Sequence, residues 1–208
     1  MTEHRVDAGG GRVLRVEEGG DPAGFAVLYQ HGTPGCGLLY RPLVEDAAAR
    51  GIRLLGYDRP GYGGSTRHAG RTVADAARDV AAIADALGLE RLATWGISGG
   101  GPHALACAAL LPGRIVAAAS LASPAPHDAE GLDWLAGMGE ANLVEFDAAV
   151  TGESALRPLL EREAAGFAAG GPEGLRDGLA SLLSEVDAAV LDDELAEHLY
   201  DGMAHGLA

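Results

Sequence analysis

An α/β fold, with a mostly parallel sheet of about six strands followed by an all-helical part, is what this sequence predicts. Three observations predict it. Apolar runs bounded by turn residues alternate with helix-period segments through the first part of the chain. After Ser123-Pro124 no β-branched run recurs, and from Leu132 onward the apolar residues fall at helical spacing. The length of 208 residues, with a hydrophobic share of 48%, suits one substantial domain with a subdomain.

Each element follows from its own pattern. "GRVLRVEEG", Gly11 to Gly19, alternates as an outer antiparallel strand does, and the short "HRVDA" before it is its partner. "FAVLYQHG", "IRLLGYD", "LATWGIS" and "RIVAAASLAS" are apolar runs closed by turn residues, the signature of buried parallel strands. Helices lie between them. "YRPLVEDAAARG" ends at Gly51, and "TVADAARDVAAIADALG" opens on Thr72, with Asp75 three positions on as a capping pair, and closes at Gly88. Beyond the strands, Leu175, Leu179, Leu182, Leu183, Val186 and Val190, then Leu195, Leu199 and Met203, recur at helical spacing, with "AAGGPEG" at Ala168 to Gly174 as an interruption. No repeat or low-complexity linker separates these helices, so they are expected to fold over the sheet.

Composition excludes several functions. A formal net charge of −15 repels phosphate backbones and anionic lipid, so neither nucleic acid nor a membrane is an expected partner. Every basic residue is arginine, which removes a P-loop, a Schiff base and a Ser-Lys dyad from consideration. The opening "MTEHRVDAGG" carries no signal-peptide pattern and no segment has the apolar length of a membrane span, so a cytoplasmic location is expected. Cys36 and Cys107 read as small buried side chains rather than a disulfide.

One stretch carries chemistry. "ATWGISGGGPHALACAALLP", Ala93 to Pro112, passes from strand to glycine to helix around Ser98, and Gly96-Ile97-Ser98-Gly99-Gly100 fits G-x-S-x-G in the strand-then-helix context that motif needs. A serine on so sharp a turn is held in a strained backbone with its hydroxyl above the sheet, and side chains two positions either way would collide. The Gly99 amide falls at a helix N-terminus, where an unpaired N–H and the helix dipole favour negative charge. Pro102 suits the first turn because its missing N–H would have had no partner.

Two further blocks, "YQHGTPG" (Tyr29 to Gly35) after the third strand and "YDRPGYGGS" (Tyr57 to Ser65) after the fourth, complete a pattern. With all three in this order, the chain resembles the α/β-hydrolase superfamily, in particular its proline-iminopeptidase-like and esterase-like branch with an HGxPG loop. Thr33 departs from the HGGPG of the iminopeptidases. The resemblance implies an α/β-hydrolase core over 1–126 and a helical cap over 127–208. It implies Ser98 as nucleophile, the amides of Thr33 and Gly99 as oxyanion donors, and a structural role for His31 and the Asp58-Arg59 turn. A serine hydrolase cleaving a small ester or amide through an acyl-enzyme is the function implied, with no cofactor and no metal. Haloalkane dehalogenases and epoxide hydrolases of this fold use an aspartate nucleophile, so Ser98 argues against both.

The family places its triad acid after a seventh strand and its histidine after an eighth. Here the run at Ile115 to Ser123 is the last strand, so the family's last two strands are absent, and a truncated chain is expected. Losing the triad histidine costs about 10⁶ in kcat in a well-studied serine hydrolase, leaving about 10³ to 10⁴ over water. His127 with Asp128, His198 and His205 are the stand-in bases weighed, and His103, a turn into the helix behind the nucleophile, reads as packing. Without further strands "IVAAASLA" would be an open apolar edge, and self-association through it is expected.

Other readings compete. A non-catalytic module could keep the fold for binding alone. "GGGPHA", Gly99 to Ala104, matches a dinucleotide fingerprint with Asp128 or Glu130 as the ribose acid, but that fingerprint belongs to a first βαβ unit and leaves "HGTPG" unexplained. His103 and Cys107 share a helix face but are too few for zinc. Trp95 and Trp134 read as core or pocket wall, and "DDELAEHLYD" as a solvated helix face.

Overall fold

Residues 1–180 and 184–206 are described by a computed structural model. The sheet has six strands in the order β1-β2-β4-β3-β5-β6. β1 (Thr2–Asp7) and β2 (Val13–Gly20) form the predicted antiparallel outer pair, and β2 also runs antiparallel to β4. β3 (Phe25–Gln30), β4 (Ile52–Tyr57), β5 (Leu92–Ile97) and β6 (Ile115–Leu121) are mutually parallel, as their apolar runs predict.

Three helices connect the parallel strands: α1 (Arg41–Ala49), α2 (Asp75–Ala86) and α3 (Gly101–Leu110). α2 begins three residues later than its capping pair suggests. Asp75 reaches back to accept from Thr72 N at 2.8 Å and Thr72 Oγ1 at 2.9 Å, so the pair fixes the approach to the helix rather than its first turn. One face of the sheet and the inner face of α2 make the main core, with Leu14, Val16, Leu28, Leu55, Val80, Ile83 and Leu92 fully buried. Cys36 and Cys107 are buried and not in a disulfide, as the sequence predicts.

The two edges of the sheet differ. β1 carries Glu3, His4 and Arg5, charges that discourage pairing with another strand. β6 carries none, and all of it beyond Ile115 is exposed, so the expectation of a buried strand fails there because β5 covers only one of its sides. Leu105 and Leu110 of α3 are likewise exposed.

By its own contacts the chain divides into two compact units, Met1–Pro124 with Asp201–Ala208, and Ala125–Tyr200. The second is helical: α4 (Glu140–Thr151), α5 (Glu153–Ala180), α6 (Glu185–Ala188) and the greater part of α7 (Asp193–Gly206). α5 is broken at Gly171, whose φ of 61° lies inside the predicted interruption. Trp134 stands between His127 and Phe146, both edge-on, and its Nε1–H donates to Ala125 O at 2.7 Å. Leu159, Leu175 and Ala196 are buried, whereas Val186 and Val190 are exposed despite their place in the helical pattern. Leu182, Leu183 and the His205 side chain lie outside what is described. Among the described residues no helix is long and apolar enough to cross a membrane.

Candidate active site

β5 ends at Ile97, residues Ser98–Gly100 form a single 3-10 turn, and α3 starts at Gly101. Ser98 occupies the left-handed region with φ 50°, a posture that costs a non-glycine residue about 1–2 kcal/mol. The flanking glycines make the turn possible. A Cβ added at Gly96 would stand 2.7 Å from the Gly101 nitrogen, and one at Gly100 would stand 2.7 Å from the His31 carbonyl oxygen. Strand and helix therefore cross at backbone contact, and the serine is driven outward. Ser98 is exposed, as the reading of a presented hydroxyl requires.

The segment after β3 lies against this turn. A Cβ added at Gly32 would be 3.5 Å from the Ser98 Cβ, and one at Gly99 would be 2.6 Å from Thr33 Oγ1 and 3.5 Å from Thr33 N. The three residues singled out from the sequence, Ser98, Gly99 and Thr33, are thus brought together. Neither amide lies in a sheet ladder, because β3 ends at Gln30 and β5 at Ile97. The Thr33–Pro34 peptide is cis.

Beneath the loop is a polar layer that the sequence hinted at only in part. The buried His31 ring donates from Nδ1 to Gly32 O at 2.8 Å and accepts at Nε2 from the Arg59 amide at 3.0 Å. Burial first, and the Arg59 charge second, hold His31 well below the usual histidine range, so it is neutral. The Arg59 guanidinium donates to His31 O, to Gly32 O at 3.3 Å and to Thr33 Oγ1 at 3.1 Å. Asp58 faces elsewhere. Its two oxygens accept from Gly37 N at 2.7 Å and Gly64 N at 2.8 Å, tying two loops to the end of β4.

His103 is more than a packing residue. Its Nδ1–H donates to Gly99 O at 2.9 Å, and its Nε2 accepts from Arg71 Nη1 at 3.3 Å. Burial, then the Arg59 charge, push its pKa down to about 4. It is a neutral brace behind the elbow. Arg71 also donates to Pro60 O at 3.2 Å, so Arg59 is linked to Thr33 directly and Arg71 to Gly99 through His103. Nothing in the motifs points to Arg71. From the sequence, Arg59 is expected only to share a structural role with Asp58 in their turn.

The base is a different matter. His4 is bonded to Glu18, His31 to Gly32 and Arg59, and His103 to Gly99 and Arg71, none of them to Ser98. His127 lies against Trp134 in the helical unit, and the three glycines of the dinucleotide-like "GGG" serve close packing, where a Cβ at Gly101 would stand 2.5 Å from Ser123 Cβ. Among the described residues no cluster of His, Cys, Asp or Glu is arranged to hold a metal ion.

Comparison with known proteins bears on the fold. The family model described as the alpha/beta hydrolase fold matches residues 26–200. Epoxide hydrolase A of Mycobacterium tuberculosis (strain ATCC 25618 / H37Rv) is 34% identical over 127 residues, 60% of this chain and 39% of that protein. The chain therefore spans about two fifths of the curated relative it matches. Among solved structures, an alpha/beta hydrolase fold protein from Nakamurella multipartita superposes over 99% of this chain and 68% of its own, with 26% identity and a TM-score of 0.62. A hydrolase from Pseudomonas aeruginosa PA01 does so over 99% and 72%, with 20% identity and a TM-score of 0.61, a likeness of fold.

Proposed function

Because the chain belongs to the alpha/beta hydrolase fold family, we propose that it carries the nucleophile and oxyanion site of a serine hydrolase acting on a small ester or amide through an acyl-enzyme. The observation that carries this reading is the exposed Ser98 at φ 50°, with the Thr33 and Gly99 backbones beside it. Ser98 Oγ attacks the carbonyl carbon, the π pair moves onto the carbonyl oxygen, and the Thr33 and Gly99 amides receive that negative charge. Collapse of the tetrahedral species expels the alcohol or amine, and water later releases the acid. The Oγ proton needs a base, and no residue of this chain is assigned that role. The Mycobacterium relative is named an epoxide hydrolase. Ser98, where epoxide hydrolases of this fold use a carboxylate, is what favours acyl transfer here.

A fluorophosphonate probe tests the proposal. Labelling of the native chain, lost in Ser98→Ala, supports it. Folded protein that never labels would instead favour a non-catalytic module.

A further inference from the structure

Arg59 heads the fully buried side chains in size, with 1% of its surface exposed. A cation so placed normally faces a carboxylate, because its desolvation is otherwise uncompensated. Here, among the described residues, the hydrogen-bond partners of the guanidinium are neutral: His31 O, Gly32 O and Thr33 Oγ1. The Tyr62 ring lies 5.2 Å from its Cζ, and its Nε has no partner. Asp58, one residue away, is engaged with Gly37, Gly64 and, at 3.7 Å, Arg15. Arg71, half-buried, donates to Pro60 O and the neutral His103, with the Asp79 carboxylate, itself bonded to Arg12, within electrostatic reach. In a chain of net charge −15, a buried arginine here has, among the described residues, no carboxylate as hydrogen-bond or ion-pair partner, and a second arginine stands close to it.

That place has a chemical logic. Arg59 touches the side chain of Thr33, and Arg71 acts through His103 on the carbonyl of Gly99, so each guanidinium stands behind one proposed oxyanion donor. We propose that Arg59, with Arg71 beside it, is a positioning pair whose missing counter-charge is the oxyanion itself. Its positive field is uncompensated in the resting protein and becomes neutralised as negative charge forms at Ser98. No proton leaves either guanidinium. This deepens the serine-hydrolase reading and rests on it.

A thiol installed at the elbow reports the field without requiring turnover. In Ser98→Cys the new thiol stands beside the Thr33 and Gly99 backbones, behind which lie Arg59, Arg71 and the neutral His31 and His103, and its ionisation is followed by thiolate absorbance and by the pH dependence of alkylation. Cys36 and Cys107 do not interfere, since burial pushes their thiols up to about 11 and about 12. The Ser98→Cys thiol is expected to titrate at least about one unit below the ordinary value near 8.5. Adding Arg59→Met should raise it by about one unit or more, a tenfold loss of thiolate at neutral pH, while Arg59→Lys restores most of the shift. An unmoved pKa, or equal effects of Met and Lys, overturns the proposal, because a packing role does not distinguish a charged side chain from a neutral one of similar length. Should circular dichroism show Arg59→Met unfolded, Arg71→Gln gives the second reading, with about half a unit expected and no change refuting. Fluorophosphonate labelling separates the two claims. Absence of label with an Arg59-dependent thiol defeats the hydrolase reading, and with it the oxyanion as counter-charge, while leaving the field itself in place; label with an Arg59-independent thiol defeats only the field.

Discussion

Replacing Gly100 by alanine probes the crossing that holds Ser98 outward. The added Cβ would fall on the Gln30 carbonyl oxygen, 2.7 Å from the His31 oxygen and 2.8 Å from the Gln30 carbonyl carbon. All three are backbone atoms at the end of β3, so no side-chain rotation relieves the overlap, and strand end and turn must separate by roughly 0.5–1 Å. Such overpacking costs about 3 kcal/mol, which for a chain of this size lowers the melting temperature by roughly 6–12 °C. The same displacement moves Gly99 from Thr33, and a misplacement near 1 Å lowers reactivity by about 10²-fold. Gly113→Ala is the control: nothing lies within 4 Å of its Cβ, and its stability should stay within about 0.5 kcal/mol of native. Thermal denaturation by circular dichroism and the fluorophosphonate labelling rate measure the two effects. Equal melting temperatures for the two variants would refute the tight crossing as the cause of the elbow.

Acid should destabilise the protein through His31 and His103, both depressed by burial. Above the unfolded value of about 6.5 both states are neutral; below it the unfolded chain takes up protons that the folded chain refuses. Stability is therefore lost as pH falls from about 6.5 toward the folded value, which for His103 is about 4, at up to ~1.4 kcal/mol per unit per histidine. Urea midpoints at pH 7.5 and 5.0 should show a smaller difference in His103→Gln than in native protein. A second expectation concerns β6: sedimentation should show concentration-dependent self-association, suppressed by Ala118→Lys, which places a charge on an edge that has none. A monomer at all concentrations would exclude that edge as a contact. Cleavage of the Glu18–Arg53 pair, 2.7 Å apart, is read at low pH. Arg53 holds the Glu18 carboxyl below its usual range, so the destabilisation caused by Arg53→Met at pH 7 should shrink as the pH falls through the lowered Glu18 range and the carboxylate takes up its proton.

How much of this was legible before coordinates depends on whether the cause is local. The strands and α1 to α3 are written in alternation and turn residues, and the elbow in the glycines around Ser98, since each obeys sterics within a few positions. Register and neighbour choice are not local. That β2 joins β4, and that β6 is exposed, follow from which strand lies beside which. The Thr72 and Asp75 signal was real but marked the approach to α2. The Arg59 and Arg71 pair was invisible because adjacency in sequence does not say that Asp58 turns to Gly37 and Gly64 while Arg59 turns to the loop after β3. Val186 and Val190 follow a helical period yet stay exposed, since spacing says which residues share a face and not what covers it.

The left-handed posture of Ser98 sets two selective demands against each other at a single codon. Glycine there would relax the main chain and raise thermal resilience, and the hydroxyl would vanish with the strain. A library sorted only for heat tolerance should thus drift toward glycine at this position, while one sorted for acyl transfer should hold serine and accept a lower melting point.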